Sequence, residues 1–245
     1  MPANDSTQIG AVLRDAFDAI YVINLPERTD RRAQMQRELA RVGLDLGQDV
    51  QLFAAIRPVE ASGWPTIGAR GCFESHLGVL EDALEQGYSR VLVLEDDVSF
   101  APALTDARAE ALATLVSGDW ACLYGGPVFQ QTGDAPVLRQ LAPDEALIGL
   151  HFFAMRASFM ARARDMLEAM RHRPAGHPEG GPMHVDGAYN HVRRTHPDLV
   201  AMIAEPGLAY QRASRTDVHD LRWFDRLPGI AQGVALLRVL HNRQR

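Results

Sequence analysis

Between Arg90 and Phe100 the chain reads RVLVLEDDVSF, four apolar residues running without interruption into the acids Glu95, Asp96 and Asp97. Such a run, β-branched residues alternating with leucine, predicts a strand buried on both faces of a mostly parallel sheet. Further apolar runs at 19–25 (AIYVINL, broken by Pro26), 51–56, 120–124, 146–155 and 199–204 predict more strands. Helical spacing of apolar residues marks 31–42, 72–86, 102–116, 158–171 and 186–195. Gly43 and Gly87 supply the stops of the first two helices. Strand and helix alternate, so the expectation is an α/β domain built of βαβ units.

The pattern loosens in the second half. Residues 130–145 are polar with Gly and Pro and read as a long loop or a small hairpin, while 208–220 read as an extended polar segment. Residues 173–183 hold three Pro and three Gly, a composition that predicts a mobile loop over a site. No internal repeat is present. The division expected is an N-terminal extension at 1–18, one domain at 19–225, and a C-terminal amphipathic helix at 226–245. In that helix Ile230, Val234, Leu237 and either Leu240 or His241 form a stripe beside Arg238, Arg243 and Arg245. The stripe suits packing back on the domain or peripheral contact with a membrane.

Composition removes several classes of function. A net charge of -6 lacks the basic footprint of a nucleic-acid partner. All 25 basic residues are Arg, which excludes a Lys base, a Schiff base, and a response-regulator receiver, whose acidic site requires Lys. The two cysteines, Cys72 and Cys122, have no CxxC partner. Neither a leader nor a bilayer-length apolar run is visible, so a cytoplasmic, reduced setting is expected.

The acids at the carboxyl end of the 91–94 strand occupy the edge where open α/β sheets bind ligands. Clustered carboxylates suit hard divalent cations and the phosphates those cations carry. Glu95 and Asp97 alternate along the strand and face one side, with Asp96 on the other. In the 68–76 stretch, Gly71 permits close backbone approach. Ser75 and His76, placed on the first turns of the following helix, offer hydrogen bonds and a helix N-terminus to an anionic ligand. His172, His177 and His184 lack the regular spacing of a metal cluster.

Four ordered blocks, YVINLPERTDRR (21–32), GARGCFESHLGVLEDAL (68–84), VLVLEDDV (91–98) and YQRASRTDV (210–218), resemble glycosyltransferase family 25. That family includes bacterial lipopolysaccharide and lipooligosaccharide glycosyltransferases and relatives that glycosylate collagen. The resemblance implies a GT-A-like, Rossmann-type mostly parallel sheet flanked by helices. It also implies inverting transfer of a hexose from a nucleotide-sugar donor, a UDP-sugar first, to a glycan or lipid-linked acceptor. Cell-surface polysaccharide synthesis at the inner face of the cytoplasmic membrane is the setting it suggests, with Mn²⁺ or Mg²⁺ as cofactor.

Within that resemblance the EDD triplet stands where many GT-A enzymes carry Asp-x-Asp. Asp97 is the first choice of metal ligand, Glu95 reaches the ion or the donor, and Asp96 serves the donor side. Asn24, Arg28, Arg31 and Arg32 lie beside the donor, unless Arg31 and Arg32 are a solvated helix face. Gln211, Arg212 and Ser214 fold over the diphosphate. The base that deprotonates the acceptor is Asp186, which otherwise serves as a helix N-cap, or Asp217. A non-catalytic module that keeps the fold and binds a nucleotide sugar or metal is the competing reading.

Overall fold

A computed structural model of the chain describes residues 5–126 and 135–212. In chain order the first elements are α1 (Asp5–Ala16), β1 (Ala19–Asn24), α2 (Thr29–Arg41), β2 (Gln51–Ala54), α3 (Ile67–Glu85), β3 (Arg90–Glu95) and β4 (Val98–Phe100). There follow α4 (Pro102–Thr105), α5 (Ala109–Ser117), β5 (Cys122–Tyr124), β6 (Val137–Gln140) and β7 (Phe152–Arg156). The last are α6 (Ala157–Arg171), α7 (Val185–Thr195), β8 (Ala201–Glu205) and β9 (Ala209–Gln211).

Seven strands form one sheet in the order β2-β1-β3-β7-β5-β8-β6. β1 pairs in parallel with β2 and β3, and β5 with β8. β7 runs antiparallel between β3 and β5, and β6 runs antiparallel along β8. Five of the seven strands therefore share one direction. β4 and β9 make a separate antiparallel pair just past the carboxyl end of β3.

The period-two alternation of the strands sends their side chains into two cores. Tyr21, Ile23, Val91 and Val93 pack under α3, α6 and α7 with Phe73, Leu77, Phe159 and Tyr189. Ile20, Val22, Leu92 and Leu94 pack on the opposite face with Ile9 and Leu13 of α1, Met35 and Leu39 of α2, and Leu112 of α5. The continuous apolar run of β3 is explained by this double covering, since Val91 to Leu94 are all fully buried.

Several expectations need correction. The N-terminal stretch read as an extension is helix α1, and its Ile9 and Leu13 belong to the core. Helix α3 starts at Ile67 rather than near Cys72, because the Thr66 side chain accepts a hydrogen bond from the Ala69 amide at 2.9 Å and caps it. The helix expected over 102–116 is two, α4 and α5. The polar stretch before 145 contains β6, an edge strand.

The Pro/Gly-rich stretch at 173–183 does not line the cavity at the carboxyl ends of β1 and β3; Arg173, Pro178 and Glu179 line a separate one. Arg173 donates to the carbonyls of Glu179 and Gly180, and a Cβ added at Gly180 or Gly181 would collide with the Met170 side chain or the Pro174 carbonyl. The C-terminal helix expected at 226–245, together with Ser214 and Asp217, lies outside the described residues. Among the described residues no helix is long and apolar enough to cross a membrane.

Candidate active site at the carboxyl ends of β1 and β3

A cavity of about 460 Å³ opens where β1 and β3 end. Its walls are the loop after β2, the N-terminal turns of α3, the acids after β3, residues Ile148 to Leu150, the start of α7, and Gln211. The parallel strands expose their carboxyl ends here, and the cap of α3 turns Thr66 to Ala69 toward the same space.

The three consecutive acids separate because the chain turns between β3 and β4. Asp96 points to the back of the site, where Asn24 Nδ2 and Arg31 Nη1 each donate to its carboxylate at 2.7 Å. Asp97 faces the cavity: its Oδ2 accepts from Gln211 Nε2 at 3.1 Å, and its buried Oδ1 makes no hydrogen bond. Burial and then the neighbouring Glu95 push the Asp97 pKa up to about 7. Glu95 turns toward α3, its Oε1 lying 3.7 Å from His76 Nε2 and 3.9 Å from Cys72 Sγ. Burial, followed by the charges of Asp186 and Asp96, raises its pKa to about 8.

The α3 residues divide into fasteners and cavity groups. A Cβ at Gly71 would stand 2.6 Å from the Ile56 carbonyl oxygen. The close approach that Gly71 permits is therefore to the β2–α3 loop. Ser75 holds the same loop, accepting from the Ile56 amide at 2.8 Å and donating to the Gly71 carbonyl at 2.6 Å. His76 is 1% exposed, stands 3.3 Å from the Tyr189 hydroxyl through Nδ1, and makes no hydrogen bond through Nε2. Burial draws its pKa down to about 4, so the ring is neutral at physiological pH. Ser75 and His76 lie beyond the second turn of α3, not on its first turns, so the helix terminus itself acts through Thr66 to Ala69.

The arginines of the first block sort differently from expectation. Arg28 donates to Asp30, and Arg32 donates to the Pro26 carbonyl and to Asn24 Oδ1; neither lines the cavity. Arg31 does line it, buried against Asp96. Adjacent positions on a helix point about 100° apart, so Arg31 and Arg32 cannot both face inward. Arg57, from the loop after β2, adds a cation at the rim and pairs with Glu27.

On the far side, Asp186 is not the cap of α7; His184 holds that position, and Asp186 Oδ1 accepts from the Gly149 amide at 2.8 Å. Gln211 lines the cavity, whereas Arg212 is spent on the backbone of the β3–β4 turn and β4, donating to the carbonyls of Asp96 and Val98. Cys72, Thr66, Arg57 and His184 are cavity residues that the sequence reading did not assign to the site. For Cys72 a signal existed, since it stands four residues before His76 on one helical face.

The carboxylates of Glu95, Asp97 and Asp186 face the cavity with Arg31 and Arg57 as counter-charges. Raised carboxyl pKa values and an unpartnered Asp97 oxygen mark a place where added positive charge is favourable. An all-oxygen ligand at Asp97 fits a hard divalent ion such as Mg²⁺ or Mn²⁺.

No protein-family model matches the chain. A protein of Anopheles gambiae named glycosyltransferase 25 family member is 32% identical over 128 residues, covering 44% of this chain and 21% of that protein. The human protein named inactive glycosyltransferase 25 family member 3 is 28% identical over 224 residues, covering 79% of this chain and 36% of that protein. The chain thus spans a minor part of the length of these relatives. A solved glycosyltransferase involved in glycosylation of the major capsid of PBCV-1 superposes with a TM-score of 0.50 at 10% identity, covering 81% of this chain and 93% of that one. That likeness concerns the fold, which is of the GT-A-like α/β kind.

Proposed function

We propose, from its similarity to proteins named glycosyltransferase 25 family members, that the chain transfers a sugar from a nucleotide-sugar donor, a UDP-sugar first, to a hydroxyl of a glycan acceptor. The observation that carries the reading is Asp97: a buried carboxylate just past the carboxyl end of a central strand, lining an acidic cavity and with one buried oxygen unpartnered. Mn²⁺ or Mg²⁺ would be held by Asp97, with Glu95 adding its charge to the same field. When bound, the ion neutralises the charge that develops on the diphosphate leaving group.

The chain's own residues supply the rest. Asn24 and Arg31 fix Asp96 and so hold the β3–β4 turn that aims Asp97 into the cavity. Gln211 orients the Asp97 carboxylate from the other side. Asp186 comes from a separate element, with Oδ1 committed to Gly149, and its other oxygen takes the proton of the acceptor hydroxyl. The acceptor oxygen bonds to the anomeric carbon as the bond from that carbon to the diphosphate breaks, which inverts the anomeric centre. Synthesis of cell-surface polysaccharide or lipopolysaccharide is the pathway this reading favours. A lipid-linked acceptor would set the reaction at the inner face of the cytoplasmic membrane.

A second reading, binding without turnover, is favoured by one observation: the human relative, matched over 79% of the chain, is named inactive. A donor-hydrolysis and transfer screen over UDP-sugars with and without Mn²⁺ separates the two. The transferase reading expects Mn²⁺-dependent turnover that Asp97→Asn abolishes. Donor binding with no turnover for any sugar would establish the binding module instead.

A further inference from the structure

Cys72 and His76 have no part in the transfer just described, yet they meet Glu95 at the inner wall of the cavity. Cys72 and His76 stand one turn apart on α3, and Glu95 closes β3 beneath that helix. One ligand atom from each lies within 4.8 Å of the other two, and among the described residues this is the group of three such donors that converges. Glu95 Oε1 is 3.7 Å from His76 Nε2 and 3.9 Å from Cys72 Sγ. In a tetrahedral zinc site with bonds of about 2.0–2.3 Å, donors stand roughly 3.3–3.6 Å apart. These two edges therefore need to contract by only a few tenths of an ångström.

The second observation is independent of that spacing. His76 is 1% exposed, and its Nε2 makes no hydrogen bond. Buried polar atoms are almost always partnered, and this one is aimed at the Cys72 and Glu95 donors. On the far side of the ring, Nδ1 stands 3.3 Å from the Tyr189 hydroxyl, the kind of outer contact that fixes the orientation of a ligating imidazole. Tyr189 is itself held between Phe153 and Phe159.

We propose that Cys72 Sγ, His76 Nε2 and Glu95 form a zinc site, separate from the hard-cation position at Asp97, with a fourth coordination position open to the cavity. Sulfur, nitrogen and oxygen together select a borderline ion over Mg²⁺ or Mn²⁺. A thiolate and a carboxylate balance the charge of Zn²⁺, and the thiol proton leaves to solvent as the ion enters. Three protein ligands with one open position is the pattern of zinc sites that bind water or a substrate oxygen. The occupant of that position is therefore a water or a hydroxyl of whatever molecule fills the cavity.

The test is titration of the reduced full-length chain with Co²⁺, without any sugar donor, so its failure is distinct from failure of the transferase reading. The expected result is a thiolate-to-cobalt charge-transfer absorption that one equivalent of Zn²⁺ abolishes. Cys72→Ser should lose the band, and the near-isosteric Glu95→Gln should weaken cobalt affinity roughly tenfold or more. Asp97→Asn should keep the band. Wild-type protein that binds Co²⁺ without a charge-transfer band, or a band that persists in Cys72→Ser, would overturn the proposal.

Discussion

Asp97 has one oxygen tied to Gln211 and one buried without a partner, and that asymmetry sets what its replacement should do. Asp97→Asn removes the charge while keeping the shape. Donor affinity measured with Mn²⁺ should fall at least about tenfold, a change of about 1.4 kcal/mol, while affinity measured in EDTA should not change. Asp186→Asn is expected to behave differently. The amide keeps an acceptor for the Gly149 N–H, so the fold and donor affinity should survive within a few-fold. Transfer should drop by roughly 10²–10⁴, the usual worth of a positioned base. Isothermal titration alongside turnover assays checks both, and near-normal transfer by Asp186→Asn would move the base elsewhere.

The same residues fix a pH dependence. The folded-state pKa values of Asp97, about 7, and Glu95, about 8, lie above the carboxylate values of about 4 in unfolded chains. The folded protein therefore holds protons that the unfolded chain has lost, and the resulting stability is fully present only at acidic pH. It declines as pH rises and is gone above the two folded values. Without divalent ions the melting temperature should fall over that window; Asp97→Asn and Glu95→Gln should flatten the fall, and saturating Mn²⁺ should do the same. A melting temperature independent of pH between about 5 and about 9 would show that these carboxyls are not perturbed in this way.

What was legible at this scale was the junction itself, since an apolar run ending in acids fixes both burial and position. The partners of those acids were not legible. Arg31 and Arg32 are the same residue type side by side, and only the rotation of α2 decides which meets Asp96.

At the scale of elements, α3 carries more of the site than any other segment. Its Gly71 lets the helix touch the loop after β2, because a Cβ there would sit 2.6 Å from the Ile56 carbonyl and 3.2 Å from Pro58 Cδ. Neither backbone nor proline ring can move aside without shifting the cavity wall. Gly71→Ala should cost about 1–3 kcal/mol, read by urea unfolding. Ser75→Ala, which strands the Ile56 amide, should cost about 1–2 kcal/mol. Stability equal to wild type in both variants would mean that the loop is not fastened there. Helix stops at Gly43 and Gly87 and most strand centres follow from local pattern. The start of α3 was misread because the glycines at 68 and 71 weaken its first turns, while the Thr66 cap that offsets them is a single hydrogen bond. Strand direction was less accessible still: β7 is as apolar as the strands on either side of it, and nothing in an apolar run records which way it points.

At the scale of the molecule, a donor bound together with its cation should act as one stabilising ligand. At about one hundred times the dissociation constant the gain is about 2.7 kcal/mol, which for a domain of this size raises the melting temperature by roughly 5–10 °C. Thermal shift with UDP-sugar plus Mn²⁺ should show that rise, and either component alone should give much less. Equal shifts with and without the ion would contradict a shared site.

The position of β7 has a consequence in time. β1, β2 and β3 all precede Asp96, whereas β7 arrives only after β5 and β6 have been made. Yet β7 is the strand that separates β3 from β5 in the sheet. A nascent chain that has emerged through Asp97 holds its acids at a raw sheet edge, and Asp186 and Gln211 do not yet exist to close the cavity around them. Closing so long a loop is entropically slow compared with forming the local pairs. During refolding, helical signal should return first, and donor binding should recover only with the slow step that seats β7, so the site is the last feature of the fold to be born.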